Sequence, residues 1–182
     1  LPCRQHHNGN ICNHQYRRDH YLDMANNTTS IGLAATGSSD ITSFTATNAT
    51  GAPIIATIVV TPHFTNDGVT CDGPAKTFTI TVNPTAQVNQ PASQVICNAA
   101  STATVTFGTT NTGGTTTYTW TNSLTSIGLL ATGSSDIASF TATNATGAPV
   151  IATIVVTPHF LNDGVTCDGP AKTFTITVNP TA

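Results

Sequence analysis

Glutamate is absent from the 182 residues, and charged side chains of all kinds make up only 7% of them, against about a quarter in an ordinary soluble domain. A disordered polyelectrolyte needs high charge and little apolar content. Here 38% of the residues are hydrophobic, which excludes that class. Five Lys and Arg stand against eight Asp, a net charge of −3, which is too little positive charge for a nucleic-acid-binding surface. No apolar run approaches the roughly 20 residues that a membrane-spanning helix needs. Met and Trp occur once each. No segment repeats apolar residues every 3.6 positions between capping residues, so no helix is expected. What fills the chain instead is threonine, 38 residues of it, with 14 Gly and 10 Pro as punctuation. A β-branched side chain with one hydroxyl suits the half-exposed surface of a sheet. The composition therefore predicts an all-β protein kept soluble by hydroxyls.

The chain contains an internal repeat, and it sets the architecture. Residues 26–86 match residues 122–182 at an offset of 96 without a gap, with 55 of 61 positions identical. The six differences are Asn27/Ser123, Thr28/Leu124, Ala34/Leu130, Thr42/Ala138, Ile54/Val150 and Thr65/Leu161. A complete unit is then residues 87–182, about 96 residues, the size of an immunoglobulin-like sandwich.

Residues 1–25 break the pattern. They hold no Thr, three of the five basic residues and four of the six His. Shifting the reading frame by one nucleotide makes them compatible with the repeat start. Of the 24 positions Leu1–Met24, 20 can be recoded into the residue 96 positions later, the exceptions being Pro2, His7, Cys12 and Leu22. Met24 followed by a G-starting codon gives TGG and meets Trp120, while Arg17 and Arg18 give Gly and meet Gly113 and Gly114. The segment is read as an out-of-frame translation of the start of the first repeat, residues 1–86.

Within the second repeat, period-2 alternation predicts strands over 103–107, 117–121 and 172–178, with Val105, Phe107, Tyr118, Trp120, Phe174, Ile176 and Val178 turned inward. Shorter strands are expected at 94–97 and 137–143. The continuous β-branched run 150–157 predicts a central strand. Asp163-Gly164 predicts a tight turn. Phe107, Tyr118, Trp120, Phe140, Ile154, Val156, Phe174, Ile176 and Val178 are the expected core. Their first-repeat counterparts are Phe44, Ile58, Val60, Phe78, Ile80 and Val82. About seven short strands with one Trp on a middle strand predict tandem immunoglobulin-like β-sandwiches. The joint NPTAQVNQP has two prolines and no Gly, so it should be short, extended and semi-rigid.

In order, CNAAST (97–102), TYTWTN (117–122), SFTATN (139–144), ATIVVTP (152–158), GVTCDG (164–169) and KTFTITVNP (172–180) resemble the PKD-like tandem repeats of very large secreted surface proteins of Bacteroidota. The resemblance covers the whole second repeat and the in-frame part of the first. It implies an extracellular, Ig-like spacer or adhesin module and supplies no ligand.

Five cysteines occur, at 3, 12, 71, 97 and 167. Cys71 and Cys167 are equivalent positions. If Leu1 stands for a mistranslated Cys, each repeat has one pair, which predicts a Cys97–Cys167 disulfide and an oxidising compartment. Closing such a loop is worth up to about 4 kcal/mol. Zinc is the alternative, but two Cys without a nearby His fall short of four ligands. Asp67, Asp72, Asp163 and Asp168, with Asp136, lie in loops that could bind calcium, or serve as turn residues ahead of Gly. His63 and His159, each in TPHF, read as rim residues rather than catalytic bases, because no partner is evident nearby. Trp120 and Tyr118 are either core or a sugar-stacking platform. Asn48 and Asn144 head Asn-Ala-Thr acceptor patterns.

No catalytic motif is present, so no enzyme is expected. The first expectation is a structural repeat of an extracellular filament or cell-surface adhesin, acting as a stiff spacer. A carbohydrate-binding β-sandwich is the second, and it requires at least two exposed aromatics on one surface. The first repeat has no counterpart of residues 87–96, which include the opening edge strand. Unpaired edges are sticky, so head-to-tail association is expected, through a continuous array or through strand donation.

Overall fold

The computed structural model describes residues 19–181. The described residues are all-β apart from two single 3-10 turns, and they form two open sheets, as a β-sandwich protein would. Grouped by contacts, the chain divides into two units. The first is the described part of Leu1–Thr45 together with Ala56–Ile80, and the second is Ala46–Ile55 with Thr81–Ala182.

The first sheet contains β1 (Asp19–Asn26), β2 (Thr36–Gly37), β3 (Ile54–Asn66), β4 (Val69–Asp72) and β5 (Lys76–Val82). Its order is β2-β1-β3-β4, and β5 also pairs with β3. The second sheet contains β6 (Gln94–Cys97), β7 (Thr115–Asn122), β8 (Thr132–Ser134), β9 (Val150–Asn162), β10 (Val165–Asp168) and β11 (Lys172–Asn179). Its order is β6-β11-β9-β7-β8, and β10 also pairs with β9.

The β-branched run forms the long central strand, β9, and it extends five residues beyond Thr157 to Asn162. One flank pairs with β7 and the other first with β11 and then with β10. Pro158 marks the changeover. Its carbonyl accepts the Gly169 N–H at 3.0 Å. The N–H and C=O of an antiparallel strand residue face the same edge, so the donor that proline lacks falls in the gap between β10 and β11. Asp163 (φ 48°) and Gly164 (φ 77°) are both left-handed, the requirement of a type I′ hairpin turn. This turn makes β9–β10 a two-residue hairpin.

The two units share one register even where their sequences do not. β1 pairs with β3 from Asp19↔Thr65 to Asn26↔Ile58. β7 pairs with β9 from Thr115↔Leu161 to Asn122↔Ile154. Every pair is displaced by 96, although DHYLDMAN and TTTYTWTN share only the final Asn. That Asn pins the strand end in both units. The amide of Asn122 donates to the carbonyls of Leu124, Leu129 and Leu130 at 3.1–3.2 Å, and its oxygen accepts the Leu124 N–H at 3.0 Å. Asn26 repeats this with Thr28, Leu33 and Ala34. The Asn27/Ser123 difference is also neutral, because each side chain accepts the N–H of the central strand, at Thr57 or Thr153, at 2.8 Å.

In the second unit Val88, Val105, Phe107, Tyr118, Trp120, Ile127, Leu129, Ile137, Ile154, Val156, Phe174, Ile176 and Val178 close one core. Phe140 is only partly buried against it, short of the expectation. Residues 103–107 and 137–143, expected as strands, are joined only by the isolated bridge Val105↔Ile137, with a second bridge, Ser101↔Thr141, just before residue 103. Their alternation comes from burial against the sheet, not from a ladder.

The first repeat keeps less of its expected core. Ile58 is fully buried, but Phe44, Val60, Ile80 and Val82 are only partly so, and Phe78 is 44% exposed where its counterpart Phe174 is 3% exposed. Val88, Val105 and Phe107, which share the Phe174 cluster, have no counterparts among the described residues of the first unit. Met24 occupies the place of Trp120, 6% exposed against 7%.

Candidate functional site

Strand β11 and the segment that runs beside it form the most elaborated surface feature of the second unit. β6 pairs with β11 in parallel, from Gln94↔Ile176 to Cys97↔Asn179. Ile96 packs on the core while Val95 faces out, the alternation that fixes a strand's register. Side chains extend the pairing at both ends. The Gln90 amide donates to the Thr173 carbonyl at 2.9 Å, and Ser93 Oγ accepts the Thr175 N–H at 3.0 Å. Asn98 receives its share at the far end: its N–H donates to the Asn179 carbonyl at 2.9 Å and its amide to Thr181 Oγ1 at 2.8 Å. Gln94 also bonds both the N–H and the carbonyl of Ala103 at 3.0 Å. The outer edge of β11 is thus satisfied from Thr173 to Thr181.

The joint between the sequence repeats is built into the second unit. Pro84 and Ala86 are fully buried. Asn111 gathers the joint: its oxygen accepts the Gln87 N–H at 2.6 Å, and its amide donates to the carbonyls of Thr85 and Gly51 at 3.2 and 3.3 Å. A Cβ on Gly169 would lie 1.8 Å from the Ala86 carbonyl oxygen, so only glycine fits there. The Asn162 amide donates to Asn83 Oδ1 at 2.9 Å, and the Asn83 amide donates to the Asn162 backbone carbonyl at 3.4 Å. These asparagines and glutamines went unread in the sequence. The signal was present, since polar residues inside a Pro-bearing joint without Gly need fixed partners.

β5 has the sequence of β11, KTFTITV, yet no strand pairs with its outer edge among the described residues. Its burial falls accordingly, with Phe78 exposed and Ile80 and Val82 half-buried where Phe174, Ile176 and Val178 are buried.

Each expected site residue has a definite place. Asp67 and Asp163 are the first residues of the I′ turns, with φ 50° and 48°. Asp72 and Asp168 instead pair with histidines: Asp72 Oδ1 lies 2.7 Å from His63 Nδ1 and Asp168 Oδ1 2.6 Å from His159 Nδ1. The calcium candidates are therefore not convergent. Among the described residues no group of three or more His, Cys or Asp could hold a metal ion. The expectation that the histidines lack partners is corrected as well. Counting outward from the two-residue turn pairs His63 with Asp72, a contact that was legible from Asp67-Gly68.

His159 Nε2 also meets Thr119 Oγ1 at 2.9 Å. Hydroxyl, imidazole and carboxylate stand in the order of a hydrolase triad, but they lie across three paired strands, where ladder pairing occupies the backbone N–H groups that an oxyanion would need. The arrangement ties β7, β9 and β10 together. In the first unit Asp23 replaces the threonine, 3.1 Å from His63 Nε2, and Tyr21 stacks on the imidazole at 4.7 Å.

The Cys97–Cys167 disulfide is not formed, and Cys71, Cys97 and Cys167 are free thiols. Register explains why. Cys97 lies beside Asn179, at the Val150 end of the sheet, and Cys167 lies opposite Phe160. Some ten residues of β9 separate the two, about 33 Å at 3.3 Å each, where a disulfide tolerates about 7 Å between Cα atoms.

Trp120 is buried and donates its Nε1–H to the Ser135 carbonyl at 3.0 Å. Tyr118 stacks obliquely on Phe107 at 5.4 Å, and Phe174 is buried. Burial raises the Tyr118 pKa, with the Asp136 charge adding to it and a Thr109 hydrogen bond opposing.

No family model matches the chain, and no curated protein is similar to it. Among solved structures, domains 4 and 5 of the S-layer protein SbsC superpose with a TM-score of 0.32 at 16% identity, covering 88% of this chain and 70% of that one. A superposition this loose carries no argument about function. No helix among the described residues is long and apolar enough to cross a membrane.

Proposed function

We propose that this chain is a structural repeat pair of an extracellular filament or cell-surface adhesin, each repeat an Ig-like, PKD-like sandwich acting as a stiff spacer. The observation that carries this reading is the joint, a connection whose Pro84 and Ala86 are buried and whose backbone is held by Asn111. A flexible tether needs none of these contacts, whereas a spacer that must keep its length does. The near-identity of the repeats and the resemblance to secreted tandem arrays supply the context. The carbohydrate-binding alternative loses its residues, since Trp120 and Tyr118 are buried and the second unit has no exposed aromatic among its described residues.

Two measurements test this reading. Antibody labelling of intact source cells should stain the surface, and a purely internal signal would refute the location. Small-angle scattering of the full chain should give a single sharp maximum dimension that broadens in an Asn111→Ala, Pro84→Gly variant. An unchanged profile in that variant would refute the stiff joint.

A further inference from the structure

The same strand sequence occurs twice in this chain, once with a partner on its outer edge and once without one among the described residues. KTFTITVNPTA at 172–182 carries a parallel neighbour, and KTFTITVNPTA at 76–86 carries none among the described residues. We infer that the outer edge of β5 takes up, in parallel, an extended segment with the sequence of Gln87–Cys97 supplied by another repeat of the same kind.

The occupant is specified by the second unit. The receiving residues are identical, so the same positions are offered. Ile80, Thr81, Val82 and Asn83 stand where Ile176, Thr177, Val178 and Asn179 pair with Gln94, Val95, Ile96 and Cys97. The Thr77 carbonyl is the counterpart of the one that accepts from Gln90, and the Thr79 N–H is the counterpart of the one that donates to Ser93. The inserted residue equivalent to Ile96 would pack toward the half-buried Ile80 and Val82. One equivalent to Val88 would add to the apolar cover that Phe78 lacks. An exposed edge with an apolar flank invites strand addition, and main-chain pairing supplies affinity while alternate side chains set register. A different sequence is poorly suited. The edge offers no charged residue except Lys76 at its start, and Gln87–Cys97 is itself uncharged.

This inference deepens the array reading. It rests on that reading for the source of the strand, but not for the chemistry of the edge. It is tested on the full chain with a synthetic peptide of residues 87–97, read by hydrogen exchange with mass spectrometry and by thermal unfolding. Exchange should slow at least about tenfold in fragments covering 76–83. At a peptide concentration near 100 times its Kd, the unfolding equilibrium of the first unit should shift about 100-fold. Trp120 fluorescence, which reports on the second unit alone, should not change. A peptide carrying Ile96→Asp should bind at least about tenfold more weakly, and this control leaves the protein's own folding untouched.

No binding at millimolar peptide overturns the inference. So does protection that falls on β11 instead of β5, or equal binding of the Ile96→Asp peptide. Edge-to-edge dimers of β5 that the peptide does not dissolve would also overturn it. Failure here, with surface labelling and scattering as expected, removes only this inference. Peptide binding without surface labelling removes the extracellular reading and leaves the edge intact.

Discussion

Gly37 and Gly133 allow one substitution to be made twice in nearly the same sequence with opposite expected outcomes. Each glycine sits on a short strand directly opposite the inward residue of its neighbour, Met24 in one unit and Trp120 in the other. Neither has a left-handed backbone, so alanine is conformationally acceptable at both. A Cβ at Gly133 would lie 2.2 Å from Trp120 Cζ2 and 2.4 Å from Cε2. Carbon atoms rest about 3.5–4.0 Å apart, so the indole would have to move by more than an ångström. That displacement overpacks the core at about 1–3 kcal/mol and breaks the Trp120 bond to the Ser135 carbonyl, worth about 0.5–1.5 kcal/mol. A Cβ at Gly37 meets only Met24 Cε, at 3.3 Å, the mobile end of a flexible side chain. Gly133→Ala should therefore cost about 2–4 kcal/mol. Gly37→Ala should stay within about 1 kcal/mol of neutral, helped by reduced freedom in the unfolded chain. Urea unfolding followed by Trp120 fluorescence isolates the second unit, because the chain has a single Trp. Far-ultraviolet circular dichroism reports on both units. Equal costs at the two positions, or less than about 0.5 kcal/mol at Gly133, would refute the packing argument.

Trp120→Ala should destabilise the second unit by about 3–5 kcal/mol, with little change in the first, as domain-resolved hydrogen exchange would show. Asn122→Ala strands the carbonyls of Leu124, Leu129 and Leu130 and should cost about 1–3 kcal/mol, measurable as a lowered urea midpoint. Reductant should leave the melting temperature of a Cys3→Ser, Cys12→Ser variant unchanged, and alkylation of that folded variant should modify Cys71 and Cys97, the exposed thiols among the described residues; a reductant-sensitive melt would contradict free cysteines. Because the folded state holds Tyr118 protonated beyond its ordinary range near pH 10, the unfolded state loses that proton first as pH rises. This group's contribution is therefore complete below about pH 10 and declines above it. Tyr118→Phe should flatten that part of the alkaline decline in urea midpoint.

The central strand was legible because its β-branched run is long and ends at Asp-Gly. That turn in turn specified the β10 pairing and the His–Asp contact. Alternation at Val105 and Phe107 correctly marked an inward face, but the period of burial does not reveal whether a neighbour's backbone is close enough for a ladder. The cysteine pairing failed for a related reason: residue count and parity carry no register, and register places Cys97 and Cys167 at opposite ends of β9. β1 was not legible as a strand at all, since Asp19, His20 and Asp23 have no β preference. Its place comes from the partner strand and from Asn26. The covered edge of β11 was anticipated as an opening strand at 94–97, whereas the side chains that lengthen the contact, Gln90, Ser93 and Asn98, left no periodic trace.

The shared register of β1 and β7 has a consequence for how the chain folds. β3 and β9 are nearly the same strand, and each accepts a partner through its backbone, with a shared Asn as the only identical side chain along the pairing. During refolding the two central strands therefore compete for the two partners. The mispaired alternatives, β7 on β3 and β1 on β9, satisfy the same ladder. Tandem repeats of high identity fail characteristically by such exchange between units. What separates correct from crossed products is how the inward side chains of each partner strand fit a core: Tyr118 and Trp120 are both buried in the second unit, whereas Met24 is buried and Leu22 exposed in the first. Sequence divergence at those two positions acts as a sorting label between otherwise interchangeable repeats.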